Sequence, residues 1–582
     1  MTGIITTSEA KCRDCYRCLR SCPVHAIGFR ADPGGSHIHA KVDDERCILD
    51  GRCVLACPQR AKRVRDDRQA VRDLLAGGEP VAASLAPSFA GALPLDPEVV
   101  PGLLRKLGFA QVHETAAGAG LVAAAHRERA GGNRPLITSS CPVVVNLMER
   151  HHPEVLPYLA PVVSPMVAHA RMLRTVHPGL RVVFVGPCIA KKREAAEVAP
   201  EDLAAVLTFR ELWDMWEESG LVRDGQVAAS VDRSGFTPPA AGIARLFPLD
   251  GGLLKTAGLS TDFLADSVAV VTGLDRCVEL IRALAEAPSA PPGLALVEML
   301  ACEGGCVGGP QVVEAGDLLD RRRRVLAYHA RRAEGGEECL TPPAIELEQS
   351  HGDRRPVRPV PGEATIRAIL ARIGKMTPAD ELNCGACGFD SCRSKAVAVH
   401  QGYAELEMCI PYMRAKAESV ANVVLDAMPS GVVVTDAELR IIEVNLAARR
   451  MFSPAGADPP ASGEHVSRLT DPRPFREAVT SRQTVSGRVS QPPQDLIAQQ
   501  TIFYVPEHEI VVGIFTDVTA GERQREKAAA MRSATVARAQ DVMNKQMKVA
   551  QEIAGLLGET TAETKVLLTK LVRVIEEGSA TE

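Results

Sequence analysis

The chain has 582 residues, a formal net charge of −5 and 46% hydrophobic residues, an ordinary globular composition with room for about three to five domains. That charge gives no electrostatic case for nucleic acid or an anionic membrane as partner. No apolar run approaches the ~18 residues of a membrane span, and the opening M-T-G-I-I-T-T lacks a signal-peptide pattern. Seventeen cysteines in such a chain argue for metal sites in a reducing cytoplasm rather than for disulfides.

Cys12, Cys15, Cys18 and Cys22, followed by Pro23, spell C-x2-C-x2-C-x3-C-P, the spacing of bacterial ferredoxins. A second copy follows as Cys47, Asp50, Cys53, Cys57 and Pro58. In such two-cluster modules the fourth cysteine crosses over. Cys12, Cys15, Cys18 and Cys57 are therefore assigned to one cubane, and Cys22, Cys47 and Cys53 to the other. Asp50 stands where the pattern wants a thiol. Either its carboxylate ligates the fourth iron, the reading taken here, or that corner is open, as in a labile or three-iron cluster. The repeat, residues 1–65, resembles an eight-iron ferredoxin, which implies electron transfer.

Residues 60–77 read as a charged helical connector. Alternating strand and helix signals then run to about Gly309, which means a parallel or mixed α/β domain, bounded at residues 78–320. Three strand-like runs end in cysteine: L-I-T-S-S-C-P reaches Cys141, V-V-F-V-G-P-C reaches Cys188, and V-E-M-L-A-C-E-G-G-C reaches Cys302 and Cys306. Ligands in open α/β sheets bind beyond the carboxyl ends of strands, so the four thiols converge on one place. Cys277 reads as a buried helix residue rather than a ligand. Residues 321–361, with an R-R-R-R run and then Gly and Pro punctuation, read as an exposed linker. Cys339 lies in it, alone and unligated.

T-S-S-C-P, G-P-C-I-A-K-K-R-E and E-M-L-A-C-E-G-G-C-V-G-G resemble the three signature segments of the FeFe hydrogenases. The resemblance implies that Cys141, Cys188, Cys302 and Cys306 hold a 4Fe–4S cubane, and that Cys306 bridges to a two-iron site bearing CO and CN⁻. It also places Pro87, Ser88 and Lys191 around the cyanides. Catalytic members read T-S-C-C-P, where the first cysteine passes protons to the two-iron site; here that position is Ser140. A thiol titrates near pH 8.5, whereas a serine hydroxyl is far less acidic. Two flanking methionines are replaced by Gly186 and Leu300. Ala125 and His126 stand where proton-path glutamates are common.

Cys384, Cys387, Cys392 and Cys409 form C-x2-C-x4-C-x16-C after a short amphipathic helix. The pattern, in residues 362–414, resembles the small iron–sulfur domain of several anaerobic redox proteins and implies a further cubane. Residues 415–520 contain no cysteine. P-S-G-V-V-V-T-D, R-I-I-E-V-N and a final strand ending D-V-T resemble a PAS domain, a module of sensing and dimerisation. Residues 521–582 carry an apolar three–four spacing through Val536, Met543, Ile553, Leu567, Leu571 and Val574, a seam suited to a coiled coil or to an ordinary packed helix pair. Gly555 and Gly558 are candidate hairpin breakers.

The expected fold is thus multidomain: an α+β two-cluster ferredoxin module, an α/β H-cluster domain, a small α iron–sulfur domain, an α/β PAS domain and a C-terminal coiled coil. The architecture resembles the sensory branch of the FeFe hydrogenases. That implies a hydrogen or redox sensor of low turnover, dimeric, with hydrogen, a ferredoxin-like redox partner, and a kinase, phosphatase or regulator in trans as partners. The alternative is a catalytic ferredoxin-linked hydrogenase with a non-standard proton path. Iron–sulfur assembly factors that lack the two-iron site are a third reading, disfavoured by the added PAS domain.

Overall fold

The computed structural model describes residues 3–31, 38–132, 134–260, 266–286, 293–313, 316–334, 343–452, 462–491, 495–557 and 561–577. Cys339 and Gly558 lie outside them. The chain divides into two units, Met1–Tyr412 and Met413–Glu582, with the division inside the helix Ile410–Ala427.

The N-terminal module repeats one pattern twice. Strand Ile5–Thr7 pairs antiparallel with Lys62–Val64, and Ile27–Ala31 with Ile38–Val42. The short helices Arg17–Arg20 and Arg52–Ala56 each follow the second cysteine position of a run. Residues 62–64, expected in a helical connector, form a strand instead. Its charged K-R-V sequence is held by pairing with the far end of the module; the helix Arg68–Ala76 begins only afterwards.

The α/β domain holds two parallel sheets. One orders its strands Gln111–Glu114, Val81–Leu85, Arg181–Gly186, Ala205–Thr208; the other orders Val268–Thr272, Leu296–Leu300, Leu136–Ile137. Val81–Leu85 and Leu296–Leu300 are buried at every position. Parallel strands covered on both faces read as near-continuous apolar runs, here interrupted by one buried polar residue each, Ser84 and Glu298. Fully burying one Val, Leu or Phe contributes roughly 1.5–3 kcal/mol, and the core beneath the first sheet includes Phe89, Leu103, Val183 and Trp216.

The arginine run is not an exposed linker. It lies on the helix Leu318–Glu334, where Val325 and Tyr328, three residues apart, are both buried. The Tyr328 hydroxyl donates to Glu114 Oε1 at 3.0 Å, and Glu114 is paired with Arg245 at 2.6 Å, all in the interior. Arg324 donates to the Leu95 carbonyl at 2.7 Å and Arg321 to that of Val307 at 3.3 Å. An apolar pair on one helical face thus anchors a run that looks wholly polar.

The second unit carries a five-stranded antiparallel sheet, ordered Ile441–Val444, Gly431–Asp436, Ile510–Asp517, Leu496–Val505, Val485–Gln491. Phe452, Phe475 and Phe515 fill its core, with ring centroids 4.8 and 6.4 Å apart. Asn445 locks the start of the helix Leu446–Phe452 by accepting from Val432 N–H at 2.8 Å and Ala448 N–H at 2.9 Å. The helix Thr519–Leu557 continues through Gly555, and a further helix spans Thr561–Glu577.

Candidate metal centre

Five strand ends feed one cavity of about 90 Å³. Val81–Leu85 delivers Ala86, Pro87 and Ser88, and Gln111–Glu114 delivers Thr115. Leu136–Ile137 leads to Ser140 and Cys141, Arg181–Gly186 to Pro187 and Cys188, and Leu296–Leu300 to Cys302 and Cys306; all these residues line the cavity. Cys141 caps the helix Pro142–His151 in extended backbone, with Pro142 setting its first turn. Gly305 holds φ +91°, and a Cβ there would collide with the Pro248 carbonyl oxygen. Only glycine lets the Cys302–Cys306 loop pass that strand-like bridge between Leu249 and Gly305.

Burial and neighbouring thiols push Cys188 up to about 11, Cys306 up to about 12, and Cys302 well above the ordinary thiol range. Such thiols stay protonated at neutral pH unless a metal replaces the proton. Ser88 Oγ and Ser140 Oγ are buried and have no hydrogen-bond partner among the described residues. Lys191, also on the cavity wall, bonds Glu194 Oε2 at 2.7 Å. A converging thiol set, two orphaned hydroxyls and an ammonium in an otherwise apolar pocket fit an iron–sulfur group with polar ligands of its own.

Residues 79–310 match the family described as iron only hydrogenase large subunit, C-terminal domain. The chain carries an iron-only hydrogenase domain. Residues 11–61 match a 4Fe-4S dicluster domain, residues 380–411 an Fe-S cluster family and residues 422–486 a PAS domain. The chain is 28% identical over 396 residues to the NADP-reducing hydrogenase subunit HndD of Solidesulfovibrio fructosivorans, covering 54% of this chain and 66% of that one. It is 25% identical over 258 residues to the cytosolic Fe-S cluster assembly factor NAR1 of Eremothecium gossypii, covering 34% and 57%. A solved variant of FeFe-hydrogenase HydA1 from Chlamydomonas reinhardtii aligns at 20% identity and a TM-score of 0.37, covering 49% of this chain and 99% of that one.

Sequence reasoning missed several walls of the hydrogenase cavity: Thr115, Met166, Phe184, Phe247 and Pro248. Phe184 explains Gly186. A Cβ at 186 would lie 2.7 Å from Phe184 Cε1, so the phenylalanine ring occupies the space beside the glycine. Ala125 and His126 are buried but do not line the cavity. His126 Nδ1 donates to the Val122 carbonyl at 2.8 Å, which leaves Nε2 to accept from Ser139 N–H at 3.3 Å. Burial lowers its pKa to about 4, so it is neutral. Cys277 is fully buried on the helix Leu274–Glu286, with Sγ 3.5 Å from the Leu300 carbonyl.

In the ferredoxin module Cys22, Cys47, Cys53 and Asp50 are mutual electrostatic neighbours, and Cys18 neighbours Cys12 and Cys15. Burial raises Cys22 to about 11 and Cys47 to about 12. Their sulfurs accept backbone N–H bonds, Cys22 from Ala26 at 3.3 Å and Cys47 from Leu49 at 3.4 Å. Burial lifts Asp50 to about 6 against the opposing pull of Arg52. Asp50 acts electrostatically on Cys302 as well, and Gly51 packs on Pro310 and Ile189. This second cysteine set therefore faces the hydrogenase cavity. Beside Cys12, Asp14 and His39 form a pair at 3.1 Å that the spacing alone did not reveal.

Cys384, Cys387, Cys392 and Cys409 line a separate small cavity with Lys395. Lys395 is buried, which lowers its pKa, while the thiols draw it upward; its Nζ donates to the Leu406 carbonyl at 3.0 Å. This domain sits on the ferredoxin module. Phe389 stacks on His25 with centroids 4.5 Å apart, Phe29 N–H donates to the Gly402 carbonyl at 2.7 Å, and Tyr16 and Tyr403 bond Glu405 and Asp43.

Proposed function

We propose that the protein is a hydrogen- or redox-sensing FeFe hydrogenase of low turnover that reports through its PAS domain to a partner in trans. The reading rests on one conjunction: a four-cysteine hydrogenase cavity with a serine, Ser140, at the proton-passing position, in one chain with a PAS domain. Cys141, Cys188, Cys302 and Cys306 would hold a cubane, with Cys306 tethering a two-iron unit, and Ser88, Lys191 and the Pro87 backbone would surround it. When bound, that group supplies reversible cleavage of hydrogen into protons and electrons. Seven cysteines and Asp50 of the ferredoxin module, with the four of the small domain, would hold three further clusters and carry the electrons.

The ordered role of the chain's own residues follows from their chemistry. The apolar walls, Phe184, Met166 and Leu300, exclude water. Ser88 and Lys191 offer donors to anionic ligands, which a low-dielectric pocket strengthens. The signal would leave through the helix Thr519–Leu557 and its successor. Ile553, Leu567, Leu571 and Val574 are exposed there in the single chain, which favours a dimeric seam. No histidine follows His508, so that segment offers no histidine phosphoacceptor.

Infrared spectra of maturated protein under hydrogen and under argon test the first half: CO and CN⁻ bands should exist and should change. Their absence would favour the third reading, an iron–sulfur role without the two-iron unit, which the similarity to NAR1 supports. Truncation after Thr519 tests the second half. It should leave iron content and bands intact while abolishing the partner's response; a truncated protein that still controls its partner would move the output surface elsewhere.

A further inference from the structure

We propose that Thr115, Ser84 and His169 form a proton relay leading out of the hydrogenase cavity, in place of the route that begins at position 140. The inference rests on the reading that the cavity houses a hydrogen-handling two-iron unit.

Thr115 is the one hydroxyl on the cavity wall with an onward hydrogen bond among the described residues. Its Oγ1 lies 2.7 Å from Ser84 Oγ, and Ser84 Oγ lies 2.7 Å from His169 Nδ1. All three residues are buried, Ser84 and His169 completely. Each hydroxyl can accept a proton while giving one up, and a neutral imidazole can take a proton on one nitrogen and release one from the other. One proton moves per hydrogen bond, and no electron moves with it.

The far nitrogen continues the line. His169 Nε2 has no partner among the described residues, and neither has His113 Nδ1. Their ring centroids are 6.0 Å apart. Two orphaned buried ring nitrogens across such a gap are a place for one bridging water, since a buried polar atom left unmade costs about 1–3 kcal/mol. His113 Nε2 then meets Gln111 Oε1 at 2.8 Å, and Gln111 is partly exposed at the head of its strand. The line thus runs from cavity to surface through side chains on two adjacent strands and the helix Pro165–Val176.

The competing route has no such continuation. Ser140 Oγ and Ser88 Oγ find no partner among the described residues. Behind Ser140, His126 Nε2 is already engaged by Ser139. Burial holds His169 near 3 and His113 near 4, with His177 and Arg105 adding to the latter against the opposing pull of the Thr237 and Pro238 backbone. Both rings therefore rest neutral, which suits transfer by tautomer exchange and makes the relay slow.

Thr115→Val keeps the shape and removes the hydroxyl, Thr115→Ser restores it, and His169→Gln keeps a bond to Ser84 without the two-nitrogen hop. In maturated full-length protein, hydrogen–deuterium exchange from D2 should fall at least tenfold in Thr115→Val and His169→Gln and recover in Thr115→Ser. The CO and CN⁻ band intensities should stay at the wild-type level in all three. Independently of turnover, the ring nitrogens of 15N-labelled His169 in protein carrying clusters but no two-iron unit should show both tautomers in exchange. A wild-type exchange rate in both Thr115→Val and His169→Gln with bands intact, or a ring locked in one tautomer, would overturn the relay. Wild-type protein without CO and CN⁻ bands would instead overturn the sensing-hydrogenase reading, and the relay with it. If Thr115→Val alone loses its bands, His169→Gln, whose side chain does not line the cavity, decides.

Discussion

Glu298 lies mid-strand in Leu296–Leu300, four residues before Cys302, and is 1% exposed. Its carboxyl accepts from Leu253 N–H at 3.3 Å and Leu254 N–H at 3.2 Å. Burial outweighs those two bonds and raises its pKa from the usual 4.5 to about 7. The folded protein therefore binds this proton more tightly than the unfolded chain. Stability from this group is fully present below pH 4.5 and is lost as pH rises to 7. At 1.36 kcal/mol per pH unit the loss is about 3 kcal/mol. Glu298→Gln fixes the neutral form with one acceptor oxygen in place of two, so its stability relative to wild type should rise by up to about 3 kcal/mol between pH 5 and pH 8. Amide hydrogen exchange at Leu253, Leu254 and the strand, read as wild type minus variant under anaerobic conditions, isolates this group from the clusters. A difference independent of pH between 5 and 8 would refute the burial argument.

Asp50→Cys should convert the second ferredoxin cluster to four thiolates and change its potential and electron spin resonance signal; an unchanged spectrum would make Asp50 a bystander. Wild-type hydrogen turnover should be slow, and Ser140→Cys alone should raise it less than tenfold, about 1.4 kcal/mol at the barrier. The reason is that Ala125 and His126 offer no carboxylate behind the new thiol. Turnover by reduced viologen at the rates of catalytic relatives would remove this argument for a sensor if seen in wild type, and would refute the role given to Ala125 and His126 if seen only in Ser140→Cys.

Cys141, Cys188 and Cys306 were legible as one group because each stands beside a Pro or Gly in a loop after a strand-like run, and they line one cavity with Cys302. The walls between them were not. Thr115 follows Q-V-H-E, a short polar strand whose burial comes from neighbours at Val81–Leu85 rather than from its own pattern. Phe247 and Pro248 reach the cavity through the bridge between Leu249 and Gly305, across more than fifty residues of chain. Ser84 and His169 meet because the helix Pro165–Val176 packs on the sheet there, and it also packs on the helix Ala116–Arg129 so closely that a Cβ on Gly118 would lie 2.6 Å from His169 Cβ. The arginine helix was misread for a related reason. Four charges in a row outweigh Val325 and Tyr328 in composition, yet those two side chains decide which face is buried.

The departures from the signature segments need not signal a disused site. If the cavity held nothing, dispersion would favour closing it, because an apolar void forfeits contacts on every wall. Gly186 shows a different outcome. The side chain absent at 186 is replaced by the Phe184 ring from the same strand, which keeps that wall apolar and filled. Meanwhile Ser88 and Ser140 are buried with no hydrogen-bond partner for their hydroxyls among the described residues, a cost of about 1–3 kcal/mol each. A group with its own acceptors would offset it. The wall is rebuilt and the two hydroxyls stay buried, while Ser140, Ala125 and His126 together alter the chemistry of the proposed proton path. That combination supports the sensor proposed above, which requires a bound state that lasts long enough for a packed element downstream to respond.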